Sequence, residues 1–123
     1  MSPRKWLQRI EDILSCIHNI QTFIKGMTLA GFEENPMAVR AVAFELVTMG
    51  EAARVVPAEI QQRFPEIPWN KMQLIRNVVV HEYFRIDEQI IWKTCQEDLP
   101  PLVPLLEKML KSEKLAGETT SDS

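Results

Sequence analysis

Two cysteines in 123 residues, Cys16 and Cys95, stand in neither a Cys-x-x-Cys nor a Cys/His spacing, so they read as buried or half-buried free thiols and no structural zinc is expected. Apolar runs are short and broken by charge, which excludes a membrane-spanning helix in expectation. The opening Met1-Ser-Pro-Arg-Lys-Trp6 leads into an amphipathic pattern rather than a signal peptide, so a cytoplasmic protein is expected. Basic excess is absent as well. A net charge of −3 and a pI of about 5.4 argue against coating nucleic acid by bulk electrostatics, so RNA would have to be handled at a local site. The basic residues near such a site, Arg54, Arg63, Lys71, Arg76 and Arg85, make a modest patch. There is no internal repeat. Histidine is scarce: His18 has no carboxylate or cysteine at ligand spacing and reads as a surface residue, which leaves His81.

What is present is helical periodicity in a chain that is 46% hydrophobic and 25% charged, enough for one soluble domain burying about two-thirds of its unfolded surface. Residues 1–111 are expected to form that domain, with 112–123 a polar, disordered tail. Trp6, Ile10, Ile13, Ile17, Ile20 and Ile24 alternate spacings of four and three, a stripe that Leu7, Leu14 and Phe23 widen into a core face. Gly26 begins the exit, and residues 27–34 read as a connecting loop. Asn35-Pro36 announces the next helix as cap and first helical position. Its stripe is Val39, Val42, Leu46, Met49, Ala53 and Val56, with Ala38, Ala41, Phe44, Val47 and Ala52 on a neighbouring face. Such breadth implies a central position in the bundle or a subunit contact, and Gly50 with Ala41, Ala43, Ala52 and Ala53 permits close approach of another backbone. Glu45, Glu51 and Arg54 lie near these crowded surfaces, as solvated edge charges or, for Glu51, framing a site.

Pro57 ends that helix, and residues 58–64 can form a short helical turn before the corner Pro65-Glu-Ile-Pro-Trp69. Trp69 is expected to pack where the corner meets the bundle, with Asn70 capping the following helix. Asp87 reads as the cap of a later one. Pro100, Pro101 and Pro104 then give either one bent helix or two, the second starting near Pro101.

The reactive side chains gather in Met72-Gln-Leu-Ile-Arg-Asn-Val-Val-Val-His-Glu-Tyr83. At about 100° per residue, with Arg76 at 0°, Gln73 falls at roughly 60°, Asn77 at roughly 100° and His81 at roughly 140°. Met72, Ile75, Val78, Val79 and Tyr83 occupy most of the remaining arc. One side is built for burial, while the other presents a guanidinium, two amides and an imidazole. Asn77 lies one turn below His81 and could fix its tautomer. Three consecutive valines are poor helix formers, so packing must hold the segment, and a short buried strand is the rival reading.

Arg76-Asn77-x-x-x-His81-x-Tyr83 resembles the R-x4-H-x-Y motif of HEPN-superfamily ribonucleases, in particular the HepT-like toxin branch of toxin-antitoxin pairs. The resemblance extends over nearly the whole chain: Asp12-Ile13-Leu14, Gly50-Glu51-Ala52-Ala53, Pro65-Glu66-Ile67-Pro68-Trp69, Arg76-Asn77-Val78, His81-Glu82-Tyr83-Phe84 and Asp98-Leu99-Pro100 stand in that branch's order and spacing. Many relatives carry Asp where Glu82 stands. The resemblance implies an all-α, HEPN-type antiparallel bundle of four to five helices, a homodimer with its active site at the dimer cleft, and an RNA endonuclease that works without metal or cofactor. It implies Arg76 and His81 as catalytic residues, with Asn77 and Glu51 supporting. RNA, as tRNA or mRNA, is the implied substrate. A cognate minimal nucleotidyltransferase antitoxin is the implied partner, transferring AMP to Tyr83 and able to form a higher complex. The alternative is a non-catalytic helical module that binds a nucleotide or a partner and acts with a nucleotidyltransferase.

Overall fold

The computed structural model describes residues 1–81 and 87–121, and among these every regular element is helical, in keeping with the all-α expectation. The first helix, α1 (Pro3–Ile24), carries proline at its start, and buries Trp6, Ile10, Ile13, Leu14, Cys16, Ile17, Ile20 and Ile24 along one face. Phe23, expected on that face, is exposed instead, because it flanks the line set by Ile20 and Ile24. Gly26 closes the helix with a φ of +79°, the left-handed conformation that a β-carbon disfavours.

The segment expected to be a loop contains a one-turn helix, α2 (Leu29–Glu33). Thr28 caps it, Oγ1 accepting from the Gly31 amide at 3.1 Å. Too short to stand alone, α2 is held by Phe32, fully buried with its ring 5.3 Å from that of Trp92.

Asn35 and Pro36 start α3 (Pro36–Arg54) as expected, with Asn35 Oδ1 accepting from the Ala38 amide at 3.1 Å. This helix is the centre of the fold, packed on α1 along one side and on α5 along another. Burying Ala38, Val39, Val42, Ala43, Leu46, Met49, Gly50, Ala52 and Ala53, it still leaves Met37 (84%) and Phe44 (69%) exposed on an outer face.

Pro57 leads into α4 (Ala58–Arg63), and the two-proline corner then delivers α5 (Trp69–His81). Ile67 and Trp69 are buried at this corner, the indole Nε1 donating to the Phe64 carbonyl at 3.0 Å. The helix begins two residues earlier than expected. Pro68 supplies the first acceptor, to the Met72 amide at 3.2 Å, so Asn70 lies inside the helix rather than capping it. The strand alternative for the valine run is thereby excluded: Met72 and Val79 are buried against α3, and packing offsets low propensity.

Asp87 caps α6 (Glu88–Lys93), Oδ1 accepting from the Gln89 and Ile90 amides. A π-helical stretch, Thr94–Asp98, continues it, and Pro100-Pro101 separate it from α7 (Leu102–Ser121). The prolines therefore divide two helices, with Pro104 in the first turn of α7, where no intrahelical amide bond is lost. The polar stretch expected to be a disordered tail continues α7 as helix to Ser121. Its side chains explain this in part, since Glu113 pairs with Arg63 of α4 and Lys114 with Glu11 of α1.

Both cysteines are buried free thiols, as read from their spacing. Burial pushes each up to about 12, assisted at Cys16 by a hydrogen bond and charge from Glu45. His18 is exposed.

Candidate active site

Where α3 and α5 cross, they approach too closely for a side chain at position 50, and Gly50 makes that possible. A β-carbon there would lie 2.3 Å from the Arg76 β-carbon and 3.0 Å from the Met72 carbonyl oxygen. Gly50, read as permitting close approach, thus serves a contact within the chain. The consequence is positional: Arg76 leaves α5 against the α3 backbone, one residue from Glu51.

Arg76 Nε sits 2.7 Å from Glu51 Oε1. Nε is buried and makes no directed hydrogen bond among the described residues, so this contact is an ion pair off the N–H axis. Arg76 Nη1 donates to Asn77 Oδ1 at 3.1 Å. The other carboxylate oxygen, Glu51 Oε2, accepts from Arg54 Nε at 3.2 Å and Nη2 at 3.1 Å. One carboxylate therefore holds two guanidinium groups, one from each helix. Together with Gly50, Gln73 and Asn77 these side chains line an open cavity of about 200 Å³.

The arrangement brings together three of the site residues expected from the sequence, Arg76, Asn77 and Glu51. His81 ends α5, one turn beyond Asn77, but its imidazole and the whole of Tyr83 lie outside the described residues. Asn77 turns its carbonyl oxygen to the Arg76 guanidinium. Arg54 and Gln73 were legible as polar neighbours but not as members of the site; the signal for Arg54 is its place three residues after Glu51, one helical turn along the same face. Leu74, 61% exposed, was not anticipated on the outer side of α5.

A second, larger cavity of about 400 Å³ lies between α1 and α3, lined by Arg9, Asp12, Ser15, Asn19 and Thr48 among others, and meets the first at Glu51. Among the described residues no group of three or more His, Cys, Asp or Glu could hold a metal ion, and no helix is long and apolar enough to cross a membrane.

The family model described as Ribonuclease HepT-like matches residues 13–109. The chain belongs to the HepT-like family. Among relatives of this HepT-like chain, a candidate RNase of Methanocaldococcus jannaschii is 34% identical over 83% of the chain and 94% of its own length. The probable ribonuclease HepT of Thermococcus cleftensis is 34% identical over 83% of the chain and 93% of its length. A candidate RNase of Caldanaerobacter subterraneus is 30% identical over 92% and 98%. No solved structure gives a significant match. The matched span contains every residue of the Arg76 cleft.

Proposed function

We propose that this HepT-like chain is a metal-independent RNA endonuclease, the toxin of a toxin-antitoxin pair, acting as a homodimer. The observation that carries the reading is a guanidinium fixed on the wall of an open cleft, between Glu51 and Asn77, with a histidine one turn farther along the same helix. RNA supplies its own nucleophile. The 2′-hydroxyl attacks the adjacent phosphorus as a base takes its proton, and the bond to the leaving 5′-oxygen breaks as an acid returns one. His81 is suited to proton transfer near neutral pH. Arg76 stabilises the charge that gathers on the phosphorus oxygens. One motif histidine per chain serves one of the two transfers at a time, so a second copy from a partner subunit completes the pair. The outer face of α3, with Met37 and Phe44 exposed, favours such a contact.

Regulation would act through Tyr83, two residues past His81. A nucleotidyltransferase antitoxin that attaches AMP there would add negative charge near Arg76 and fill the cleft. The decisive experiment is RNA cleavage by purified protein in excess chelator. Arg76→Ala and His81→Ala should each abolish cleavage while retaining the parent's helical circular dichroism. Cleavage that stops with chelator, or that survives both substitutions, would sink the mechanism. Mass spectrometry of the chain co-expressed with its antitoxin should find adenylate on Tyr83, and adenylate found only elsewhere would remove Tyr83 from the scheme.

A further inference from the structure

The cleft holds a second guanidinium that the chemistry above leaves unused. Arg54 ends α3, three residues after Glu51, and turns Nε and Nη2 onto Oε2 while Arg76 takes Oε1. Its side chain is 61% exposed, against 35% for Arg76. An ion pair so exposed contributes little to stability, so the fold alone gives weak reason for the geometry. What the geometry does is aim. With two donors spent on Glu51, Nη1 of Arg54 makes no hydrogen bond among the described residues, and the side chain lines the same cavity as Arg76. Two guanidiniums against one carboxylate also leave a net positive charge in the cleft of a protein whose overall charge is −3. Both groups grip one carboxylate, so they are held within a few ångströms of each other, on the order of one nucleotide step along a strand.

We infer that Arg54 is a second phosphate subsite, contacting the RNA phosphate next to the one that Arg76 binds, with Glu51 as the positioning residue that spaces the two cations. The inference rests on the ribonuclease reading and deepens it: the substrate is gripped as a strand of at least two consecutive phosphates. A planar fork suits Arg54 to this contact, since it can face Glu51 on one edge and a phosphate on another.

The test compares a dinucleotide, which has a single phosphate, with trinucleotides that add a phosphate on the 5′ or the 3′ side. In the parent protein, the added phosphate on one side should lower KM by about tenfold or more, the lower end of the scale for a charge-assisted contact. Arg54→Gln should lose that gain, and Arg54→Lys should recover most of it. Binding of an uncleavable all-deoxy oligonucleotide should follow suit, the slope of log affinity against log salt falling by about 0.7 in Arg54→Gln. A parent protein that cleaves no RNA would remove the ribonuclease reading itself. A parent that cleaves, beside an Arg54→Gln variant with the full gain and an unchanged salt slope, would overturn the subsite alone. So would a changed oligomeric mass of the variant in light scattering, which assigns Arg54 to assembly.

Discussion

At the scale of single residues, the site depends on one missing side chain and one shared carboxylate. Gly50→Ala would put a methyl group where α5 already stands, 2.3 Å from Arg76 Cβ, so the helices must part. The expected cost is about 1–3 kcal/mol, read as a lower urea midpoint, with a loss of cleavage larger than the loss of folded protein. Glu51→Gln keeps the shape and removes the charge that orients both guanidiniums. Turnover should fall by about tenfold to a hundredfold, the effect of a misplaced group, and unchanged single-turnover cleavage would deny Glu51 its role. The buried thiols give a pH dependence. Their pKa is raised in the folded protein to about 12, so above the ordinary thiol value the unfolded chain releases protons that the folded one keeps. Stability must then decline from about pH 9 upward, by about 1.4 kcal/mol per pH unit for each thiol. Cys95→Ala should flatten the slope of urea midpoint against pH between 9 and 11. Much of this scale was legible in the sequence. Arg76 and Asn77 share a polar face by helical angle, Glu51 stands beside the crowded small residues that include Gly50, and their roles came from the family resemblance. The ion pair that joins Glu51 to Arg76 was not legible, because side-chain pairing across two helices depends on their crossing, which periodicity along each one does not encode.

At the scale of elements, caps and prolines were read more securely than short helices. Asn35-Pro36 and Asp87 declare their helices through local hydrogen bonds that any chain would make. The one-turn α2 has no periodicity to detect, and exists because Phe32 finds Trp92 and the core. Phe32→Ala should therefore cost about 3–5 kcal/mol, measurable as a fall in Tm, and a negligible effect would mean that α2 is held by something other than Phe32. The helical run beyond Ser112 escaped notice for a related reason. Its polar composition speaks for solvent, while its hold on α1 and α4 comes through Lys114 and Glu113, whose partners lie far away in sequence.

At the scale of the whole molecule, the outer face of α3 is where the proposed homodimer is tested. Phe44→Glu places a charge on that face without touching the core, since Phe44 is 69% exposed. The expected result is a shift to monomer mass in light scattering together with loss of RNA cleavage. A dimer that persists would move the contact elsewhere. The sequence left this face ambiguous between a central helix and a subunit contact. The structure assigns most of α3 to the first, since α1 and α5 flank it, and Met37 and Phe44 are what remains for the second.

The masking of Cys16 and Cys95 has a practical side. Maleimide chemistry needs an ionised sulfur, so at neutral pH a cysteine installed at exposed Gln21 should react alone, with both natural ones left in place. A nitroxide attached there turns the native sequence into its own ruler, and pulsed electron resonance would read the spacing between two copies directly.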